Sequence, residues 1–161
     1  YAYVTSRIEN FIIPSLNPRR GGYQVAQSIV AVGSGGIFGK GLGQASQINM
    51  NFLPEADTDF IIASIGETFG FFTILLIIIM YCNLFYWLLI YSENTRNTFL
   101  SLLIIGYLSI LFFHVFITIG MAIGFAPVTG LPAPFLSYGG SFTLSTFIML
   151  GICNNIANNN I

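Results

Sequence analysis

Charged residues are scarce in this chain of 161 residues, of which they make up 7%. An ordinary soluble domain carries about 25% charged residues, so this chain has too few to cover a water-exposed surface. Hydrophobic residues make up 55% of the chain, and the mean hydropathy is +0.79. The composition therefore excludes an ordinary soluble domain and predicts a polytopic membrane protein.

Basic residues and cysteines are also few. Five Lys and Arg against six Asp and Glu give a net charge of −1, so there is no basic face and no case for a nucleic-acid partner. Cys82 and Cys153 stand far apart inside apolar runs with no His or Cys nearby, and we expect them to act as small hydrophobic side chains. The sequence has no initiator Met and no signal-peptide pattern, and we expect it to begin partway through something larger.

Three long apolar segments predict membrane-spanning helices, because about 20 apolar residues cross a bilayer as a helix. We expect the spans at 60–91, 98–124 and 141–157. The predicted fold is an all-α, polytopic membrane helical bundle of three such helices, joined to a large loop that carries an interfacial helix.

Two connections separate these spans. A short polar turn at 92–97 links the first two, and a Pro/Gly-rich loop at 125–140 precedes the third. The loop is apolar enough to dip into the bilayer, which is tolerated where protein shields its backbone. Because a single turn separates the first two spans, the segment before the first span and the loop at 125–140 must lie on the same side of the membrane. We therefore expect the 137–140 stretch to approach Asp59.

The first 59 residues read as a large loop that contains one short helix. Residues 23–32 are too few to span a bilayer, and their polar side chains share one helical face, which indicates an interfacial or re-entrant helix. The glycine-rich stretch 33–43 has the wrong spacing around Lys40 for a phosphate-binding P-loop. Its N–H groups and Lys40 still suit an anion, but the composition favours a mobile linker.

Three carboxylates precede the first span within five residues: Glu55, Asp57 and Asp59. Helix capping accounts for one residue here, Asp57 or Thr58, and leaves the other carboxylates unexplained. If a helix opens at Asp59, then Asp59 and Glu67 fall at i and i+8 on one face. A pair of carboxylates along one strip indicates a site.

His114 lies near the middle of the second predicted span. An ionisable residue inside a membrane is a functional candidate. The alternative, which we favour, is a histidine that hydrogen-bonds a neighbouring helix.

Short motifs occur in a fixed order along nearly the whole chain: Tyr3 with Arg7, Gly22-Tyr23-Gln24, Gln27-Ser28, Gly33-Ser34-Gly35-Gly36, Gly39-Lys40-Gly41, Leu53-Pro54-Glu55 with Thr58-Asp59-Phe60, Gly66-Glu67, Pro127-Val128-Thr129-Gly130-Leu131-Pro132, Pro134-Phe135 and Ser137-Tyr138-Gly139-Gly140-Ser141. In this order they resemble the C-terminal part of the RodA/FtsW/SpoVE family, the SEDS peptidoglycan glycosyltransferases of bacterial elongation, division and sporulation. The resemblance implies a multi-pass protein of the bacterial inner (cytoplasmic) membrane. It places 1–59 and 125–140 outside the cytoplasm, and 92–97 and 158–161 inside.

The resemblance also implies a reaction. These proteins polymerise lipid II: a sugar hydroxyl of one molecule attacks the anomeric carbon of another, and undecaprenyl diphosphate leaves. The Asp of the family's motif is the catalytic carboxylate, which here is Asp59, and a general base of this kind takes the hydroxyl proton. We expect partial burial at the membrane edge, beside Glu55 and Asp57, to make Asp59 a stronger base.

A substrate site around Asp59 follows from the same resemblance. Its expected substrate-binding residues are Lys40, Glu55, Glu67, Ser137, Tyr138 and Gly139. A divalent cation, Mg²⁺ or Mn²⁺, held by Asp59 and Glu55 is one candidate for neutralising the departing diphosphate. Lys40, Arg19 and Arg20 are the chain's own alternatives. The expected protein partner is a class B penicillin-binding protein transpeptidase.

Two residues depart from the family's pattern. Asp57 stands where relatives often carry His, and Thr129 where some division-type members carry Lys. Thr129 favours an elongation-type or generic member and the 41–44 stretch a division-type one, so the subtype stays open.

Two other functions stay open as well. One is a lipid II flippase or transporter, which Glu67 and His114 inside broken apolar segments also fit; the other is a non-catalytic scaffold of the cell-wall synthesis complex.

Overall fold

The computed structural model describes residues 21–41, 43–45 and 58–160. Within those residues the chain forms five helices and no strand, which confirms the predicted all-α fold. The helices are α1 (Gly21–Gly35), α2 (Ile61–Phe69), α3 (Phe71–Asn94), α4 (Thr98–Ala122) and α5 (Gly140–Asn160).

Three of the helices are long and apolar enough to cross a membrane, as predicted. They are the 24-residue α3, the 25-residue α4 and the Gly140–Asn158 part of α5. Only 17%, 28% and 22% of these segments is buried, so most of each apolar surface needs lipid or another helix as its cover. The turn between α3 and α4 is shorter than the predicted 92–97, because α3 continues to Asn94 and the Asn97 side chain caps the start of α4.

The segment predicted as a single span, 60–91, is two helices. Gly70 separates them with φ 82 and ψ 179, a conformation open only to glycine, and a Cβ there would collide with the backbone of Gly39. Helix α2 then runs back alongside α3, since a Cβ on Gly66 would lie 2.8 Å from the Ile74 side chain. The prediction of one continuous helix was wrong because apolar periodicity does not register a reversal at one glycine.

Two apolar clusters hold the helices together. One joins α1, α2, α3 and α4 through six buried residues: Ala31, Phe60, Ile62, Ala63, Ile74 and Ala122. The other joins α3, α4 and α5 nearer the far ends of the spans: Leu88, Ile104, Tyr107, Leu111, Cys153 and Ile156. Cys153 is thus a buried hydrophobic residue, whereas Cys82 is exposed on α3.

Ser28 on the polar face of α1 is fully buried and donates to the Ala122 carbonyl, so this face packs against α4.

The glycine-rich stretch is docked at the junction of α2 and α3, and the prediction of a mobile linker was wrong for its described residues. Its N–H groups and carbonyls pair with the broken helix ends: Lys40 N to Glu67 O at 3.0 Å, Gly41 N to Thr68 O at 2.9 Å, Phe71 N to Gly36 O at 2.9 Å and Phe72 N to Ile37 O at 3.2 Å. These bonds satisfy backbone groups that a helix end leaves without an intrahelical partner. The loop therefore supplies the hydrogen-bond partners that a continuous helix would have provided across Gly70.

Gly39→Ala is expected to destabilise this junction strongly. Gly39 has φ 79, and a Cβ there would collide with the Thr68 carbonyl. The left-handed conformation alone costs an alanine about 1–2 kcal/mol, and the collision adds to it. Thermal unfolding in detergent should show a lower midpoint. Gly33→Ala is the matched control: nothing lies within 4 Å of its Cβ position inside α1, and it should be neutral or stabilising by roughly 0.5–1 kcal/mol. Equal midpoints for the two variants would contradict the docked loop.

Candidate active site

Asp59 lies in a half-buried turn, Thr58 to Phe60, directly before α2. The helix begins at Ile61, and its N-cap residue is Phe60, whose side chain makes no capping hydrogen bond. Thr58 does not occupy the N-cap position, so the capping interpretation is wrong for that residue, whereas Asp57 lies outside the described residues. Phe60 is instead buried in the first apolar cluster, and it anchors the turn that carries Asp59.

The carboxylates of Asp59 and Glu67 occupy different environments. Asp59 precedes the helix and is half-buried, whereas Glu67 lies in the last part of α2 and is fully buried. A helix rises 1.5 Å per residue, so eight residues separate the two by roughly 12 Å along the axis. The helix begins two positions after Asp59, so the condition for placing Asp59 and Glu67 on one helical face is not met.

The Pro/Gly loop meets the Asp59 turn. The Ser137 hydroxyl donates to the Thr58 carbonyl at 2.6 Å and accepts from the Ala133 N–H at 2.8 Å. Gly130 of the same loop lies beside the carboxylate, because a Cβ on it would stand 3.5 Å from Asp59 Oδ2. The expected approach of the 137–140 stretch to the Asp59 region is confirmed at Ser137.

The turn and the loop lie beside the middle of a span and not at its end. The Tyr81 hydroxyl donates to the Pro134 carbonyl, and Tyr81 follows Phe71 by ten residues, about 15 Å along α3. Pro134 belongs to the loop that bonds Thr58, so this depth applies to the Asp59 turn as well. The Asp59 turn therefore lies alongside the body of α3, and its expected position at the membrane edge stays a prediction.

An open groove of about 650 Å³ begins at this loop and continues along α5. Its lining is mostly apolar: Ser137, Tyr138, Gly139, Gly140, Thr143, Leu144, Phe147 and Ile148. Tyr138 is 84% exposed, so its ring is free of the rest of the described chain. The groove thus starts at the residue that touches the Asp59 turn and extends along a face of a predicted span.

Lys40 and Glu67 form an ion pair, with Nζ 2.7 Å from Oε1. The sequence predicted each as a separate substrate contact, and the structure brings them together where the glycine-rich stretch docks on α2. Glu67 is fully buried and the Lys40 side chain is 27% exposed, so the ammonium offsets the cost of burying the carboxylate. The Lys40 charge is engaged within the protein.

His114 packs by its ring and not by a hydrogen bond at Nδ1. It stacks on Phe142 of α5 with a centroid distance of 5.0 Å and an interplanar angle of 23°. Its Nδ1 is buried and has no hydrogen-bond partner among the residues that the structure describes. Among the described residues, Nδ1 therefore does not form the expected hydrogen bond to a neighbouring helix. The ring instead contacts α5 by stacking on Phe142.

Several predicted residues lie outside the described part of the chain: Glu55, Asp57, Arg19 and Arg20. Within the described part, no group of three or more His, Cys, Asp or Glu residues is placed to hold a metal ion. Of the predicted pair of metal ligands, the described chain supplies Asp59 alone. These residues do not by themselves make a divalent-cation site.

Sequence reasoning missed two residues that shape the site. Tyr81 stands in an apolar span, where its hydroxyl was the available sign of a buried hydrogen bond. Gly130 was one motif glycine among several, and its proximity to Asp59 depends on how the loop folds.

A family model described as "Cell cycle protein", that of FtsW, RodA and SpoVE, matches residues 1–161. The chain belongs to the FtsW/RodA/SpoVE family. Among FtsW/RodA/SpoVE proteins it is 38% identical over 154 residues to peptidoglycan glycosyltransferase MrdB of Escherichia coli (strain K12). It is 37% identical over 155 residues to stage V sporulation protein E of Bacillus subtilis (strain 168). Each match covers 96% of this chain and 42% of the relative, so the chain spans less than half the length of these relatives.

The fold is also similar to that of a solved chain from work on "Structural coordination of polymerization and crosslinking by a peptidoglycan synthase complex". The TM-score is 0.75 and the identity 25%, over 99% of this chain and 43% of that one. The helical arrangement is therefore that of this membrane-protein family.

Proposed function

We propose that the protein carrying this chain is a peptidoglycan glycosyltransferase of the bacterial inner (cytoplasmic) membrane, which polymerises lipid II into glycan strands during cell elongation or division. The names of curated relatives support this activity. The single observation that carries it is the placement of Asp59, half-buried in a turn that the Pro/Gly loop holds at the head of an open apolar groove.

In the proposed reaction Asp59 acts as general base. A sugar hydroxyl of one lipid II attacks the anomeric carbon of another, and its proton passes to the Asp59 carboxylate. The bond from that carbon to the diphosphate oxygen breaks, and undecaprenyl diphosphate leaves with the electron pair. Because Asp59 is half-buried and stands before the helix, its carboxylate is accessible to a substrate while the loop keeps it in place.

The lipid-linked substrate is proposed to lie partly in the groove on α5. Tyr138 and Gly139 line the end nearest Asp59, and Leu144 and Phe147 continue it along the helix. An apolar surface of this kind suits an isoprenoid chain, whose contacts are non-directional and depend on buried apolar area. The sugars would then reach the Asp59 turn while the lipid stays beside the span.

We also propose a class B penicillin-binding protein transpeptidase as the partner. The similar solved chain comes from a complex whose description joins polymerization with crosslinking. The spans of the present chain expose large apolar side chains over most of their length, which leaves surface for lipid and for further helices.

A lipid II transporter is the second candidate. The reversal at Gly70, the dipping Pro/Gly loop and the buried charge of Glu67 are features that transporter sites share. A non-catalytic scaffold is the third, and it requires no carboxylate at the head of a groove.

Polymer formation in detergent separates these functions. Purified full-length protein incubated with lipid II in micelles should yield glycan polymer, since polymerisation needs no bilayer to cross. A transporter or a scaffold would leave lipid II intact there, and a transporter would move labelled lipid II across vesicle membranes. Intact lipid II in micelles together with transport in vesicles would refute the glycosyltransferase proposal.

A further inference from the structure

The Ser137 hydroxyl donates one hydrogen bond and accepts another within the protein. Ser137 is buried, donates its one proton to the Thr58 carbonyl at 2.6 Å and accepts from the Ala133 N–H at 2.8 Å. A serine hydroxyl has a single donor, so this group cannot donate to a substrate while it holds Thr58. Its two bonds tie the Pro/Gly loop to the segment before α2.

The carbonyl that Ser137 holds belongs to the peptide unit of Asp59. The Thr58 C=O and the Asp59 N–H lie in one plane, because the peptide bond is planar. Holding the carbonyl oxygen therefore restrains the peptide plane that contains the Asp59 Cα, from which the side chain projects. Gly130 of the same loop lies against the carboxylate itself, at 3.5 Å from its Cβ position to Oδ2. The loop thus bounds Asp59 at its backbone and at its side chain.

The loop that presents Ser137 is itself held firmly. Phe135 has φ 62, a left-handed conformation that a bulky residue keeps only where its surroundings impose it. Its ring packs edge-on against Phe147 of α5 at 5.3 Å, and Tyr81 of α3 bonds the preceding carbonyl, that of Pro134. Contacts with α3 and α5 therefore hold the loop in place, and the Ser137–Thr58 hydrogen bond connects the loop to the Asp59 turn.

We propose that Ser137 is a positioning residue for Asp59, which orients the carboxylate through the Thr58 carbonyl and does not bind substrate. This takes the place of the substrate contact predicted for Ser137 from sequence. This inference rests on the proposed function, because Ser137 can affect the reaction rate in this way only if Asp59 is the general base.

The test uses the full-length protein with four variants: Ser137→Ala, Ser137→Thr, Asp59→Asn and the double variant Ser137→Ala/Asp59→Asn. Ser137→Ala should lower kcat about 10- to 100-fold, since a misplacement of about 1 Å costs a reaction up to about a hundredfold. KM should change less than about twofold, because the Ser137 hydroxyl is bonded to Thr58 and Ala133 and its removal takes no hydrogen bond from the substrate. Ser137→Thr restores the hydroxyl and should recover most of the rate. The double variant should be no slower than Asp59→Asn, because the two residues act as one unit.

Ser145→Ala is the matched control, since its exposed hydroxyl also bonds a backbone carbonyl, that of Phe142 at 2.8 Å on α5. It should leave kcat and KM unchanged. A raised KM with an unchanged kcat in Ser137→Ala would make Ser137 a substrate contact and overturn the inference. A double variant slower than Asp59→Asn by the full Ser137→Ala factor would overturn it too.

Two further outcomes keep the proposals separate. An unchanged kcat in Ser137→Ala beside an inactive Asp59→Asn overturns the positioning role alone, whereas a fully active Asp59→Asn overturns the proposed base. If Ser137→Ala lowers the yield of folded protein, Ser137→Cys serves for the same measurements, because its thiol fills the site and is only a weak donor.

Discussion

In the full-length protein, replacing the proposed base Asp59 by Asn is expected to lower the proposed lipid II polymerisation by about a hundredfold to ten-thousandfold, the usual cost of losing a general base. The substitution keeps the size of the side chain and removes its negative charge and basicity. It should leave folding and membrane insertion nearly intact, since the N-cap of α2 is Phe60 and Asp59 is only half-buried. The measurement is polymer yield over time from lipid II, with the thermal unfolding midpoint recorded on the same protein.

Two control variants sharpen this result. Glu93→Gln removes an exposed carboxylate at the end of α3, beyond the second apolar cluster, and should leave activity unchanged. Asp57→Asn should do far less than Asp59→Asn, because the resemblance to the family gives Asp59, and not Asp57, the catalytic role. If the acidic cluster only binds a cation, the Asp57 and Asp59 variants should be impaired to a similar extent, and excess Mg²⁺ or Mn²⁺ should restore part of the activity. A folded Asp59→Asn protein that polymerises at the wild-type rate would remove Asp59 from the mechanism.

Removing the cation of the Lys40–Glu67 pair is expected to cost about 3 kcal/mol of stability. Loss of one partner of a buried ion pair costs about 3–5 kcal/mol, and the lower end applies because Lys40 is only partly buried. Lys40→Met leaves the buried Glu67 carboxylate without its ammonium, so it should be worse than Glu67→Gln, which leaves a partly solvated lysine. Unfolding midpoints in detergent report both. Arg96→Met, which removes an exposed cation in the turn between α3 and α4, is the matched control.

The double variant Lys40→Met/Glu67→Gln separates a structural pair from a substrate contact. If the pair serves only the docking of the glycine-rich stretch on α2, the double variant should recover most of the lost stability and polymerise lipid II at close to the wild-type rate. If Lys40 contacts the diphosphate, the double variant regains stability and stays inactive. Unchanged midpoints in all three variants would show that the pair contributes nothing to the fold.

The sequence by itself determined the class of protein, the number of spans and the family. Long apolar runs specify spanning helices wherever the chain packs, because the bilayer requires internal hydrogen bonding and about 20 apolar residues. The single turn around Arg96 then placed the acidic segment and the Pro/Gly loop on one side, and the Ser137–Thr58 bond agrees with that deduction. The ordered motifs indicated the family, which the match over the full chain confirms.

Only the tertiary structure decided how the site is built. One long helix and two helices that fold back on each other have the same hydropathy. The reversal at Gly70 is accompanied by bonds that the Phe71 and Phe72 N–H groups donate to the carbonyls of Gly36 and Ile37, which are distant in sequence. The same holds for the pairing of Lys40 with Glu67, which follows from that docking. The placement of Asp59 beside the middle of α3 depends on the folded-back α2 and on the Pro/Gly loop. Local patterns specify helices because helical hydrogen bonds are local. The contacts that build the site join segments far apart in the sequence, and hydrophobic periodicity carries no information about such contacts.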